Sequence, residues 1–380
     1  MNLALTSEQE EIRRLARDFA EREVKPRADA IDHRVEFPRD LVEKAARLGL
    51  LGMLVPDSFG GAGLDHLSFA IFIEEVAKFS GSTAVIIDVH TSVGTEPIVL
   101  FGSEEQKHRW LPDLAQGRKL AAFALTEPEA GSDAAHLKTT AVRTSSGYVL
   151  DGSKIFITNA GEADSYVVMA ATRPGSGAGG VSAFVVSGAN PGMTVGPPFK
   201  KMGLNGSAIA EVFFKDCEVP ESDRLGAEGE GFRIAMRALD SGRIGISAQA
   251  VGLAQGALDD AIAYAQERKQ FNKPIAELQT IQNKIADMGV RVSAARWLTW
   301  NAAARCDAGL PFTREASMAK LYATDIAMEV TLDALQVFGG YGYLEEYPMA
   351  RRVRDAKACQ IYEGTNQIQR IVIAREVLTA

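Results

Sequence analysis

Residues 147–158 read Gly-Tyr-Val-Leu-Asp-Gly-Ser-Lys-Ile-Phe-Ile-Thr, a run of β-branched and aromatic residues set between turn formers. Such a run predicts a strand, because branched and aromatic side chains fit a pleated surface better than a helix. Similar short runs lie on either side: LAAFALT at 120–126, TTAVRT at 139–144, SYVVMAAT at 165–172, VSAFVVSG at 181–188 and AEVFFKDCEVP at 210–220. Turn chemistry such as Ser146-Gly147 and Asp151-Gly152 separates strand from strand. Runs this short and this closely spaced predict a small antiparallel β-barrel.

Outward from these strands the hydrophobic period turns helical. Ile12, Leu15, Ala16 and Phe19 recur at helical spacing, and Thr6 with Gln9 reads as a capping box. Further helical text covers 38–48, 67–79 and 82–101, with Gly60-Gly61-Ala62-Gly63 and Pro112 as punctuation. Beyond the strands, Ala-rich segments run through 231–268, 275–309, 313–337 and 366–378, broken at Pro274, Pro311 and Gly339-Gly340. Segments apolar on several faces pack into a bundle. The expected fold is therefore α+β and multidomain: an N-terminal helical domain over 1–118, a middle β-barrel over 119–228 and a C-terminal four-helix bundle over 229–380.

Composition narrows the function. The 380 residues carry a net charge of −8, which argues against a nucleic-acid partner held by phosphate neutralisation and against an anionic membrane surface. The sequence reads as lacking any run of about 18 apolar residues. The N-terminus is charged almost at once, without the apolar core of a secretion signal. Cys217, Cys306 and Cys359 are far apart and lack CxxC spacing, so no disulfide or metal site is expected, and the expected compartment is the cytoplasm. Gly175 to Gly180 matches GxGxxG, but a strand-like run follows instead of the helix that would hold a pyrophosphate, so it reads as a hairpin loop.

Four segments carry possible chemistry. LTEPEAGSD (125–133) is a loop able to bring backbone N–H groups close to a ring or phosphate. KIFITN (154–159) sets Phe156 and Thr158 on one strand face. RKQFN (268–272), with Gln279 beyond it, lies between helices, and IYEGTNQI (361–368) puts Glu363 before a glycine and a helix. Each has an ordinary reading: a loop, a strand with an inward aromatic, a basic helix end and an acid near a helix N-terminus.

Taken together, LTEPEAGSD, GSKIFITNA, RKQFNKPI, QVFGGYGY and IYEGTNQIQR resemble the acyl-CoA dehydrogenases over essentially the whole chain. That resemblance implies FAD lying between the barrel and the C-terminal helices of a homotetramer. It implies flavin-ring contacts at Leu125, Thr126, Phe156 and Thr158, with Ser132 near both FAD and CoA. Arg268, Gln279, Gln336, Gly339 and Gly340 would reach the pyrophosphate and adenosine half from a neighbouring subunit, and Thr365 and Gln367 would complete the flavin site. The substrate motif D-x-x-R becomes Asp240 and Arg243, the catalytic base becomes Glu363, and Gly364 lies beside it. The implied reaction is α,β-dehydrogenation of an acyl-CoA to a trans-2-enoyl-CoA, with electron-transfer flavoprotein as the acceptor. Stabilisation of the developing enolate, desolvation of the base and alignment give these roles their chemical reason.

The sequence departs from the family pattern at three places. Phe156 stands where many relatives have Trp, and Asn272 stands where Gly is usual. Gly242 occupies the position that holds the base in isovaleryl and long-chain branches, which favours the short- and medium-chain straight-chain branch; a short straight-chain substrate is expected, with isobutyryl and 2-methylbutyryl as alternatives. Ala84 falls where glutaryl enzymes carry an arginine, and residues 89–97 most resemble butyryl-CoA dehydrogenases. His90 lacks an orienting partner in sequence and reads as a packed histidine. An oxidase, a nitroalkane flavoenzyme and a DNA-associated homologue are the rival readings.

Overall fold

The computed structural model of the chain describes residues 4–379. The first helical region folds as α1 (Ser7–Phe19), α2 (Ala28–Arg34), α3 (Arg39–Arg47), α4 (His66–Ala77), α5 (Gly81–Asp88), α6 (Glu96–Phe101) and α7 (Glu104–Ala115). The Thr6–Gln9 capping box forms as expected, and Ser103 with Gln106 builds a second one at α7. Such caps satisfy backbone N–H groups that the first turn leaves unpaired, typically for about 1 kcal/mol.

Between α5 and α6 the chain does not break but widens into a π-helical segment, Val89–Thr95. The combined run Gly81–Phe101 has a mean hydropathy of 1.4 and is long and apolar enough to cross a bilayer, contrary to the sequence expectation. Its surroundings account for the apolarity: 83% of its most apolar stretch is buried, packed on α4 and on neighbours introduced below. Phe69, Phe72 and Ile73 of α4 join Ile86 and Ile87 in one core.

The strands are β1 (Ala121–Ala124), β2 (Thr140–Arg143), β3 (Gly147–Thr158), β4 (Ser165–Ala171), β5 (Val181–Ser187), β6 (Met193–Val195), β7 (Ile209–Pro220) and β8 (Arg224–Leu225). They pair in the order β6-β7-β3-β2-β4-β5-β8, with β1 beside β4. The pairing is antiparallel except that β1 and β2 run parallel to β4. Parallel neighbours need a long crossover, and β1 is separated from β4 by the whole β2–β3 hairpin. Tyr148, Tyr166, Phe184 and Phe214 fill the inside of the curl, and Tyr148 meets Phe184 edge-on at 5.0 Å. The outer side of β4 and β5 packs under Leu111 and Leu114 of α7, so β4 is buried at every position and reads as unbroken apolar sequence.

The sequence misplaces one turn. Ser146-Gly147 does turn the chain between β2 and β3, but Asp151-Gly152 lies inside β3, where the register against β7 shifts. Gly152 sits at φ 146, and a methyl there would stand 2.6 Å from Thr139, so glycine makes a bulge here instead of a turn. The GxGxxG stretch ends in a short 3-10 turn, Gly177–Gly180, that leads into β5, as its context suggested.

The C-terminal region holds α8 (Gly231–Glu267), a small hairpin of β9 (Lys269–Gln270) and β10 (Lys273–Pro274), then α9 (Gln279–Asp307), α10 (Thr313–Phe338), α11 (Met349–Cys359) and α12 (Asn366–Leu378). Phe271 and Asn272 make the hairpin turn at φ 53 and 61; asparagine tolerates that left-handed conformation in place of glycine. α11 escapes sequence reading because arginines occupy its buried side. Arg351, Arg352 and Arg354 reach Asp29, Asp260 and Asp32, partners that no local period reveals. α8 touches α4, α5, the π-helical segment, α9, α10 and β5, which makes it the spine on which all three regions meet.

Candidate active site

Two of the four segments meet at the end of β1. Ile155 N–H donates to the Thr126 carbonyl at 2.9 Å, so the loop after β1 is stitched to the bulge in β3. Lys154, fully buried, sends its Nζ to the Leu125 carbonyl at 3.1 Å and to Glu127 Oε1 at 2.7 Å. Glu127 in turn accepts the backbone N–H groups of Lys138 and Thr139. Burial pulls Lys154 down to about 8 against the opposing pull of Glu127, so the lysine stays largely charged at neutral pH. Its other effect is on geometry. The register shift between Lys154 and Ile157 turns Phe156 to φ 59 and leaves it 63% exposed, leaning on Phe199 at 5.7 Å. Leu125 is buried, Thr126 and Thr158 are partly buried, and Ser132 is exposed on the loop beyond.

The second assembly surrounds Glu363. Tyr362 anchors the segment by donating to Gln249 Oε1. Glu363 and Gly364 then take φ values of 51 and 90, turning the chain sharply into α12. Lys320 Nζ holds the Gly364 carbonyl at 2.8 Å and Asn366 Oδ1 at 2.9 Å, while Gln369 Nε2 holds Gly364 from the other side at 2.9 Å. Thr365 caps α12 through Ile368 N–H, and Gln367 is exposed on its first turn. A non-glycine residue held left-handed by this many bonds is the kind of strain that functional sites carry.

Glu363 is not the exposed acid of its ordinary reading. Both carboxylate oxygens are buried and have no hydrogen-bond partner among the described residues. They lie against α8 at Gly242, where a methyl would stand 2.3 Å from Oε2. Burial pushes the carboxyl up to about 7, against the pull of Arg243 and Lys320. Arg243 itself is paired with Asp240 at 2.6 Å, and Asp240 also accepts Thr313 Oγ1. The structure thus brings Glu363, Gly364, Asp240 and Arg243 together, with a buried carboxyl poised to take or release a proton near neutrality.

A third group forms an open cleft of about 580 Å³ lined by Arg268, Phe271, Gly339, Gly340 and Tyr341 among others. Arg268 lies over the Tyr341 ring at 5.1 Å. Gln279 begins α9 and Gln336 lies near the end of α10; both are exposed, and neither lines the cleft. His90 is buried: Nδ1 accepts Ala121 N–H at 3.0 Å and Nε2 faces the Leu114 carbonyl at 3.2 Å, and burial lowers it to about 4, as a packed neutral histidine.

Three groups of the site went unassigned in the sequence: Lys154 with Glu127, Lys320, and Asp88. A lysine inside a strand, a lysine in an Ala-rich helix and an aspartate inside the apolar run Ala84–Val89 were the available signals. A charge in an apolar run is rarely fully buried without purpose.

Three family models cover the chain: acyl-CoA dehydrogenase N-terminal domain over residues 6–118, middle domain over 122–217 and C-terminal domain over 229–378. An acyl-CoA dehydrogenase of Bacillus subtilis is 50% identical over 98% of this chain and 99% of its own length. Butyryl-CoA dehydrogenase of Megasphaera elsdenii superposes with a TM-score of 0.98 at 44% identity, covering both chains fully. A structure described as electron transferring flavoprotein of Acidaminococcus fermentans gives a TM-score of 0.99 at 46% identity, again over both full chains.

Proposed function

This chain belongs to the acyl-CoA dehydrogenase family, whose members are FAD flavoproteins, and we propose that it oxidises a short straight-chain acyl-CoA to the trans-2-enoyl-CoA with Glu363 as the base. The observation that carries the assignment is the Glu363 carboxylate: buried, without a partner among the described residues, held by a strained turn and raised to about 7. A general base works best when its pKa lies near the working pH.

The residues present fit FAD. Phe156 is held out on a bulge beside the fixed Thr126 carbonyl, which offers a ring a flat apolar wall. A methyl on Gly339 or Gly340 would meet nothing within 4 Å, so the cleft beside Arg268 is open to a phosphate. We assign the ring to Leu125, Thr126, Phe156, Thr158, Thr365 and Gln367, and the pyrophosphate and adenosine half to Arg268, Gln279, Gln336, Gly339 and Gly340 of a neighbouring subunit in a homotetramer. When bound, FAD supplies the two-electron acceptor for the β-hydride.

The chain's own residues do the rest. Glu363 takes the α-proton, and its backbone N–H, which has no hydrogen-bond partner among the described residues, is available to the thioester oxygen as enolate charge develops. Asp240, Arg243, Gly364 and Ser132 would orient the thioester and its CoA. Lys320 fixes the turn and keeps the base ionisable near neutrality. Electron-transfer flavoprotein is the proposed acceptor, in keeping with the Acidaminococcus relative.

Anaerobic titration with acyl-CoAs of increasing length tests the reading: butyryl-CoA is expected to bleach the bound flavin most efficiently. A protein that takes up no FAD, or whose flavin no acyl-CoA reduces, would overturn it. A second expectation concerns pH. Lys320 lowers the Glu363 pKa, so Lys320→Met raises it above about 7 and moves the acid limb of flavin reduction to higher pH. An acid limb that stays in place would show that Lys320 does not act on the base.

A further inference from the structure

Asp88 closes α5 and is completely buried, and its Oδ2 has no hydrogen-bond partner among the described residues. Ser92 Oγ donates to the Asp88 carbonyl at 2.7 Å and lies 3.1 Å from Oδ1. The carboxylate rests on α8 at Gly245, where a methyl would stand 1.8 Å from Oδ1. Glu363 rests on the same helix at Gly242, where the methyl would be 2.3 Å from Oε2. Positions three apart share a helix face, with side-chain origins about 5–6 Å apart. The two carboxyls are therefore neighbours on one bare strip of α8.

The strip has an inner and an outer end. Asp240, two residues before Gly242 toward the start of α8, keeps 11% of its side chain accessible and reaches Thr313, whereas Asp88 has no exposure at all. A CoA moiety is too large to bury, so it leaves by the Asp240 side. An acyl chain whose Cα touches Glu363 then points toward Gly245. Burial raises the Asp88 carboxyl well above its usual range, and the nearby charges of Glu363 and Glu96 raise it further. Ser92 Oγ serves the backbone carbonyl and Oδ1, so Oδ2 is the oxygen left for a ligand's polar group.

We propose that Asp88 is a specificity-determining residue that forms the inner end of the acyl site, admitting short acyl groups and those with a polar terminus and excluding longer apolar chains. This rests on the dehydrogenase reading above. Methylenes pushed against Asp88 would seal its unpartnered oxygen away from any hydrogen bond, whereas a hydroxyl at the acyl terminus would satisfy it. Buried polar groups discriminate more strongly than apolar walls do, for this reason.

The experiment compares kcat/KM for butyryl-, hexanoyl- and 4-hydroxybutyryl-CoA in the wild-type holoenzyme, Asp88→Ala and Asp88→Ser. Asp88→Ala is expected to raise the hexanoyl-to-butyryl ratio by at least about tenfold and to lower the 4-hydroxybutyryl-to-butyryl ratio. Asp88→Ser, which is small and can still bond Ser92, is expected to raise the hexanoyl ratio as well, and it serves if the alanine variant does not fold. Ratios unchanged in the variants, with butyryl-CoA still bleaching the flavin, would overturn the assignment and leave Asp88 a packed acid. A wild type that no acyl-CoA reduces would strike the dehydrogenase reading itself, and the assignment would fall with it.

Discussion

Replacing Glu363 with glutamine is expected to slow flavin reduction by about 10⁴-fold, the upper range for loss of a positioned general base. Glutamine keeps the shape that lies on Gly242 and can still hold the left-handed turn, so FAD content is expected to remain that of the wild type. The same substitution separates catalysis from stability. The carboxyl is raised from 4.5 to about 7, so the stability tied to its proton is full below pH 4.5 and is lost as pH rises through 7. At about 1.4 kcal/mol per pH unit, ionised Glu363 costs the fold about 3 kcal/mol. Above pH 7 the glutamine variant should therefore melt at a higher temperature than the wild type while being nearly inert. Rapid-mixing reduction by butyryl-CoA and thermal unfolding at pH 5 and pH 8 measure both. A variant that reduces flavin at the wild-type rate would remove Glu363 from the mechanism.

Lys154→Met should have the largest structural effect. The lysine is the sole cation paired with Glu127 among the described residues, and both side chains are shielded from water. Removing one partner of such a pair strands the other charge and typically costs about 3–5 kcal/mol. It also frees the Leu125 carbonyl, so the loop that presents Leu125 and Thr126 loses its fixed position. The expected outcome is a lower melting temperature together with substoichiometric FAD. Adding Glu127→Gln should restore much of the stability, because no charge is then left buried, and less of the FAD binding, because the carbonyl is still unheld. A Lys154→Met protein that melts with the wild type and carries a full flavin complement would refute this role.

Much of the fold was legible because it obeys local rules. Periodic apolar spacing marked α1, Ala-rich text apolar on several faces marked α8 and α10, and short branched and aromatic runs marked β4 and β5 as strands. The capping box at Thr6 was visible because both of its partners lie three residues apart. What stayed hidden depends on distant partners. α11 buries arginines whose acids lie as far away as Asp29, and Gly152 reads as a turn until β7 and Thr139 are set against it. In the site, Leu125, Thr126, Glu363 and Gly364 could be named only through the family resemblance of the motifs that hold them. Lys154, Lys320 and Asp88 could not, because their roles come from burial and from the backbone groups they face. The burial of Glu363 was equally out of reach: its closeness to α8 depends on a missing side chain at Gly242.

That missing side chain is one of several. Gly242, Gly245, Gly252 and Gly256 all lie on α8, and at each a methyl would collide with another element: Glu363, Asp88, the Glu74 carbonyl and the Lys78 carbonyl. Each glycine lowers intrinsic helix propensity by about 1 kcal/mol relative to alanine. The longest helix in the chain, 37 residues, is therefore a poor helix on its own. It depends on its neighbours, α9 and α10 on one side and α4 and α5 along its bare face, so the acid-bearing face of the active site and the joint between the N- and C-terminal regions rest on the same contacts. The same glycines that make room for the base therefore leave α8 weaker wherever the N-terminal helices are not packed against it.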